Sequence, residues 1–555
     1  MDFTRRELVG FTGAALAAAS LPTRAAAASP TGLAAAADNV RGFALRELAD
    51  KGFPGIAVSL LAANGASTSF VAGLANGATR APAMPDQLFQ IGSISKSLTA
   101  LAVHVLADRG ALDLGAPVQA LLPDYPLPPA PITVTQLLEH SSGLPNSLAE
   151  FPFLDVPGGR LWTGFAPGSR YSYCNLGYGL LGAIVERAAA MPFGDALGRL
   201  VLRPIGMQAA EPAIRIADRA RYADGHQRFR TDLPWLPRAP LVPARWVELH
   251  NAAGSVAATA ADMERYLAFM VKLGRGQGAP LLSDAAARRF AAATIDAPPF
   301  GAGSRYGNGV AHVTVAGRRC LHHTGGMTGF SSAMLVDPAA GIGAFASVNV
   351  GGAGNYRPRE VTEVALAQLA ALAAGAALPP VPAPKPPTAI DNQARFTGTW
   401  HGEGQALRVV ARGPQLAVVA DGIERPLAAV AATAFVTDHP RLSPCRLDFE
   451  EGRLRVGSRL YGRDSAPPRP PESARVAGLA GAYLSGASWS AAPTIVSAVG
   501  DRLWIGGTEW TEAPDGYWRT DEPALLGERA WFTGRADGRA TVLNLSGMRH
   551  ERLPA

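Results

Sequence analysis

Ser93 and Lys96 stand three residues apart in Phe89-Gln90-Ile91-Gly92-Ser93-Ile94-Ser95-Lys96-Ser97, just ahead of a stretch from Ser97 to Arg109 with helical apolar spacing. Residues three apart on a helix face the same way, so this spacing puts the hydroxyl beside the amine at a helix start. A serine hydroxyl is a weak nucleophile until a neighbour takes its proton, and a lysine whose pKa is lowered by burial can take it. Arginine cannot, because it stays charged. Lysine and arginine together number 51, yet only Lys51, Lys96, Lys272 and Lys385 are lysines, and of these Lys96 alone follows a serine by three residues. The competing reading of an isolated Ser-x-x-Lys is a solvated helix lysine behind an N-capping serine.

Two further clusters carry suitable chemistry. Tyr173-Cys174-Asn175 lies between Pro167-Gly168-Ser169-Arg170 and a helical stretch from Leu176 to Ala189. A phenol near a lysine can share acid or base duty, and an Asn amide can bond to both substrate and lysine. A second Tyr-x-Asn, Tyr306-Gly307-Asn308, has no helix after it and is assigned a structural role. His323-Thr324-Gly325-Gly326 precedes an apolar strand. Adjacent glycines let a substrate backbone approach a strand edge, where an exposed N–H can join that of Ser93 as an oxyanion hole. His322 competes with His323, and either ring could be a satisfied core imidazole.

The ordered motifs Ser93-Ile94-Ser95-Lys96, Tyr173-Cys174-Asn175 and His323-Thr324-Gly325 resemble those of the penicillin-recognising serine hydrolases, the superfamily of class C β-lactamases, D,D-peptidases and esterases. Leu137-Leu138-Glu139-His140-Ser141-Ser142-Gly143-Leu144, Pro204-Ile205-Gly206-Met207 and Ala253-Gly254-Ser255-Val256 leading to Asp262 add to the likeness, which covers roughly residues 40–375. The resemblance implies an α/β (α+β) catalytic domain, an antiparallel sheet flanked by helices with the nucleophile beside a helical cluster. It also implies an acyl-enzyme on Ser93 with no metal and no cofactor. The N–H groups of Ser93 and Gly326 would hold the oxyanion, Thr324 and Gly325 would line the substrate edge, and Lys96, Tyr173 and Asn175 would form the proton network. One departure stands out: β-lactamases of this group carry Lys-Thr-Gly where this chain has His323-Thr324-Gly325. A histidine is mostly neutral at pH 7, which favours peptidase, amidase or esterase chemistry over β-lactam hydrolysis.

The elements that must position these groups divide at two proline clusters, Pro379 to Pro387 and Pro467 to Pro471, which read as semi-rigid linkers. They predict a hydrolase domain over 30–378 and small β-domains over 388–465 and 473–555. Gly55 to Leu61, Ala333 to Val336 and Ala344 to Val350 read as strands. The last two segments repeat each other at a constant spacing of 83: Trp400 with Tyr483, Phe435 with Trp518, Thr437-Asp438 with Thr520-Asp521, and Phe449 with Phe532. An internal duplication of a small antiparallel barrel follows. Such a pair of barrels resembles the D-aminopeptidases of the same superfamily, in which one barrel can lend a loop to the active-site rim.

At the N-terminus Arg5-Arg6, an apolar stretch from Val9 to Leu21 and Ala-rich sequence to Ala28 read as a twin-arginine export signal over 1–28, placing the mature protein in the periplasm or outside the cell. The apolar Val364 to Leu378 contains Gln368 and reads as a soluble helix, so no integral membrane segment is expected after signal removal. The net charge of +6 comes from scattered residues, with no basic run and no nucleic-acid signature. Cys174, Cys320 and Cys445 are too few and too scattered for a metal site or a disulfide framework. No His-Glu-x-x-His, Walker loop or Gly-x-Ser-x-Gly is present, and nothing in the sequence sets an oligomeric state. The expected partner is a small-molecule or peptide substrate, with hydrolysis of amide bonds in small peptides or D-amino acid derivatives. The alternatives are a carboxylesterase, a weak β-lactamase, or a catalytically inactive binding or scaffold protein.

Overall fold

The computed structural model describes residues 30–146, 159–228, 240–351, 357–383, 389–443, 445–486 and 492–554. The expected export signal lies outside the described residues. Among those described, no helix is long and apolar enough to cross a membrane.

The catalytic part is organised on a nine-stranded antiparallel sheet whose centre pairs Gly55–Leu61 with Ile342–Val348, followed by Ser331–Asp337 and Arg318–Gly326. The three strands Gly55–Leu61, Ser331–Asp337 and Ile342–Val348 are buried along their whole length, because helices cover both faces. Side chains alternate accordingly. Leu335, Ala344 and Ala346 pack with helices Pro30–Lys51 and Arg359–Ala373, while Met334, Val336 and Phe345 join the core of the helical cluster. That cluster contains Ser95–Asp108, Asn175–Ala189 and Ala260–Gly274. Ser93 thus sits at the seam between sheet and helices, where two separate cores meet.

Two closed eight-stranded antiparallel barrels follow, spanning Gly398–Gly462 and Gly481–Arg552. Residues matched at the spacing of 83 occupy like strands: Trp400 and Tyr483 the first, Phe435 and Trp518 the fifth, Phe449 and Phe532 the sixth. Each barrel closes on an aromatic core, with Phe396, Trp400, Phe435 and Phe449 edge-packed in the first and Tyr483, Trp510 and Trp518 buried in the second. All three cysteines are free.

Candidate active site

The helix expected from Ser97 begins at Ser95, and Ser93 stands just before it in a 3-10 turn, Gly92–Ile94. This turn is pressed onto the end of strand Arg318–Gly326. Gly92 has φ +54°, and a Cβ there would lie 2.7 Å from the Gly326 nitrogen. A Cβ on Gly325 would collide with the Ile91 carbonyl and Ser332 Oγ, and Ser332 Oγ itself donates to Ile91 O at 2.8 Å. Only glycines permit that approach. From the other side Ile91 N–H donates to Val256 O at 3.0 Å and Val256 N–H to Ser95 Oγ at 3.1 Å. Gly325 and Gly326 therefore sit against the nucleophile turn, with Thr324 half-buried on the same strand.

Lys96 is fully buried, and its Nζ lies 3.2 Å from Ser93 Oγ, 2.7 Å from Asn175 Oδ1 and 2.7 Å from Ala253 O. Burial holds its pKa well below the usual ammonium range, against a small opposing influence from Cys174. The hydrogen count suits a neutral amine: two acceptor-only oxygens take its two hydrogens, and the lone pair is left for the Ser93 hydroxyl. Ala253 is fixed for this by Asn251 Oδ1, which accepts from Ala253 N–H and Gly254 N–H, each at 3.0 Å.

Tyr173 is hydrogen-bonded to Ser93, and its ring centroid is 4.9 Å from Lys96 Nζ. Burial pushes the phenol above its ordinary range, and the Ser93 hydrogen bond and the Arg357 charge oppose the shift. It keeps its proton at neutral pH. Behind it, His140 packs 4.4 Å from the Tyr173 ring, centroid to centroid, and its Nδ1 accepts from Cys174 N–H at 3.0 Å. The Cys174 thiol, pushed up by burial to about 12, accepts from Gly177 N–H at 3.2 Å and starts the helix that carries Asn175.

His323 is placed behind this network. Its Nδ1 donates to Thr324 O at 2.7 Å and its Nε2 accepts from the Tyr306 hydroxyl at 3.0 Å, so both ring nitrogens are taken. Burial brings its pKa down to about 3, and the ring is neutral. His322 is likewise buried, bonded to Met334 O at 2.8 Å. A permanent cation stands beside the third motif: the Arg357 guanidinium occupies the space a Gly326 Cβ would need and lies 3.4 Å from Ser331 Oγ.

The fold gathers Ser93, Lys96, Tyr173 and Asn175, the residues whose motifs stood out in the sequence. Four further groups around them had no role legible there: the Ala253 carbonyl, Arg357, Asn146 and Glu528. Asn146 Oδ1 accepts from Asn175 N–H at 2.9 Å and from Asn175 Nδ2 at 2.8 Å, while Asn146 N–H donates to Glu528 Oε1 at 2.6 Å. Ala253 belongs to the Ala253-Gly254-Ser255-Val256 piece, which carried no role in the sequence, and Arg357, Asn146 and Glu528 lie in no motif, so no local signal marked those three.

A family model described as Beta-lactamase matches residues 40–369. Esterase EstB of Burkholderia gladioli is 35% identical over 233 residues, covering 36% of this chain and 57% of that protein. Penicillin-binding protein 4 of Amycolatopsis lactamdurans is 29% identical over 375 residues, covering 64% of this chain and 94% of that protein. Among solved structures, the octameric penicillin-binding protein homologue from Pyrococcus abyssi has the same fold, with a TM-score of 0.54 and 22% identity over 77% of this chain and 99% of that one.

Proposed function

The chain belongs to the Beta-lactamase family, as a serine hydrolase, and from that premise we propose that Ser93 is acylated by small peptides or D-amino acid derivatives through their amide bonds. The observation that carries this is the buried Lys96 amine, 3.2 Å from Ser93 Oγ with its other two contacts acceptor-only.

Lys96 takes the Ser93 proton as Oγ attacks the carbonyl, and the N–H groups of Ser93 and Gly326 receive the oxyanion. Tyr173, held protonated, passes a proton to the departing amine and is refilled from Lys96. Water then attacks the acyl-enzyme by the reverse relay. Arg357 beside Gly326 and Ser331 supplies a cation for a substrate carboxylate. His323 supports the site as a neutral prop for Tyr306 and transfers no proton. A second reading, carboxylester hydrolysis on the same acyl-enzyme, is favoured by the likeness to esterase EstB. Export through residues 1–28 is part of the proposal, and N-terminal sequencing of the mature protein tests it.

Ser93→Ala is expected to lower kcat by on the order of 10^5 and to abolish fluorophosphonate labelling. A folded wild-type protein that takes no label at Ser93 would instead mark an inactive scaffold. The substrate class is read from kcat/KM across D-aminoacyl amides, L-peptides, short p-nitrophenyl esters and a chromogenic cephalosporin. Amides leading the panel sustain the proposal, and esters leading it with amides inert overturn the amide assignment.

A further inference from the structure

Glu528 lies in the second barrel, 382 residues along the chain from Asn146, yet its carboxyl group is buried against the catalytic part. One oxygen accepts from Asn146 N–H at 2.6 Å and the other from the Ser546 hydroxyl, so both are satisfied at a depth where an unpaired carboxylate would be costly. The turn that presents it is locked in place. Glu528 N–H donates to Leu525 O at 2.9 Å, and Trp162 Nε1 donates to Gly527 O at 2.9 Å. A Cβ on Gly164 would strike Leu526 O and come within 2.7 Å of Gly527 Cα, while one on Gly527 would lie 2.7 Å from Leu144 O. Backbone meets backbone across this junction with no room for slack.

The clamp leads to the reacting atoms. With Asn146 held by its N–H, its Oδ1 faces both hydrogen-bond donors of Asn175, and this fixes which way round the Asn175 amide sits. The amide oxygen is thereby turned to Lys96 Nζ at 2.7 Å. Rotated the other way, the amide would aim its NH2 at the amine, donor against donor.

We propose that the second barrel completes the catalytic network, with Glu528 as a positioning residue that acts through Asn146 and Asn175 to hold Lys96 in line with Ser93. The inference rests on the Ser93 acyl-enzyme reading. Its test uses the full chain, a short p-nitrophenyl ester, and active sites titrated with a fluorophosphonate so that rates are counted per competent site. Glu528→Ala and Glu528→Asp, which withdraws the carboxylate by one methylene, are expected to lower kcat per titrated site ten- to a hundredfold with KM within threefold. Glu528→Gln, whose amide oxygen still accepts from Asn146, is expected to stay within threefold. Asn146→Ala should show the same loss, and adding Glu528→Ala to it should cost less than a further twofold. A kcat per titrated site within twofold of wild type in Glu528→Asp and in whatever Glu528→Ala folds overturns the proposal, as does a full Glu528→Ala loss on top of Asn146→Ala. Ser93→Ala run alongside separates the two failures: turnover without Ser93 removes the acyl-enzyme reading, whereas a dead Ser93→Ala beside unaffected Glu528 variants removes only the role of the barrel.

Discussion

In the first barrel His439 N–H donates to Thr437 Oγ1 at 3.3 Å, Leu442 N–H to His439 O at 3.0 Å and Cys445 N–H to Leu442 O at 3.0 Å. In the second barrel the same three bonds recur, Glu522 to Thr520 Oγ1 at 3.2 Å, Leu525 to Glu522 O at 2.8 Å and Glu528 to Leu525 O at 2.9 Å. The backbone bonding is common to both, while the side chains differ at several positions, among them His439 and Glu522, Arg441 and Ala524, and Cys445 and Glu528. Cys445 meets Gly457, which a Cβ would bring within 3.6 Å of Ser497 in the second barrel, and neighbouring Arg446 lies against Gly507 there. Arg455 of the first barrel, paired with Asp448 at 2.7 Å, stacks 4.0 Å from the Trp504 ring centroid of the second. One turn thus fastens barrel to barrel, while its counterpart reaches the catalytic part with a carboxylate. The two barrels share the turn, and the side chains it carries decide what it touches, with Leu526, Gly527 and Glu528 all meeting the catalytic part in the second barrel.

That contrast can be broken from either side. The largest effect is expected at Lys96: burial depresses its pKa, so the amine gains its proton as the pH falls. The pH profile of kcat/KM should therefore lose activity on the acid side as pH drops through that lowered pKa, and Lys96→Arg, charged throughout, should lose about 10^3-fold on the plateau. Next is Gly164→Val, which drives a side chain into Leu526 and Gly527 and lifts the turn away. A shift of about 1 Å in the reacting geometry corresponds to roughly a hundredfold in kcat, measured with the barrels still folded by circular dichroism. Trp162→Ala removes the bond to Gly527 O, the edge contact with Trp531 and the stacking under Arg529. It should cost about 3 kcal/mol, read as a lower urea midpoint, with a smaller fall in kcat than Gly164→Val. In the first barrel Arg455→Ala removes one of the two guanidinium partners of Asp448, leaving Arg446 on the other oxygen, and should cost about 2 kcal/mol while leaving kcat unchanged. Smallest of all, Cys445→Ser should leave kcat within about twofold, and the burial-raised thiol should resist iodoacetamide at neutral pH.

Much of this molecule was legible as a string. Ser93 and Lys96 could be paired because a helix fixes the relation of residues three apart, and the barrels could be matched because duplication preserved a spacing of 83 across aromatic core positions. Gly325-Gly326 announced a close backbone approach because no other residue tolerates one. His323 was harder: its motif made it a candidate site residue, but its partners, Tyr306 and the Thr324 carbonyl, are set by strand packing. Arg357 gave no sign of standing beside the third motif, since its distance from Gly326 exists only once the helix it precedes lies over the sheet.

What the amino-acid order determined by itself is chemistry governed by short range: a hydroxyl and an amine one turn apart, strands that alternate, turns that repeat. What the tertiary structure alone decided is which distant groups share a boundary with that pair, namely Ala253 O on Lys96, Asn146 on Asn175, and Glu528 on Asn146. The physical reason is that a hydrogen bond depends on distance and direction in space, and between residues hundreds of positions apart only the packing of whole domains sets either.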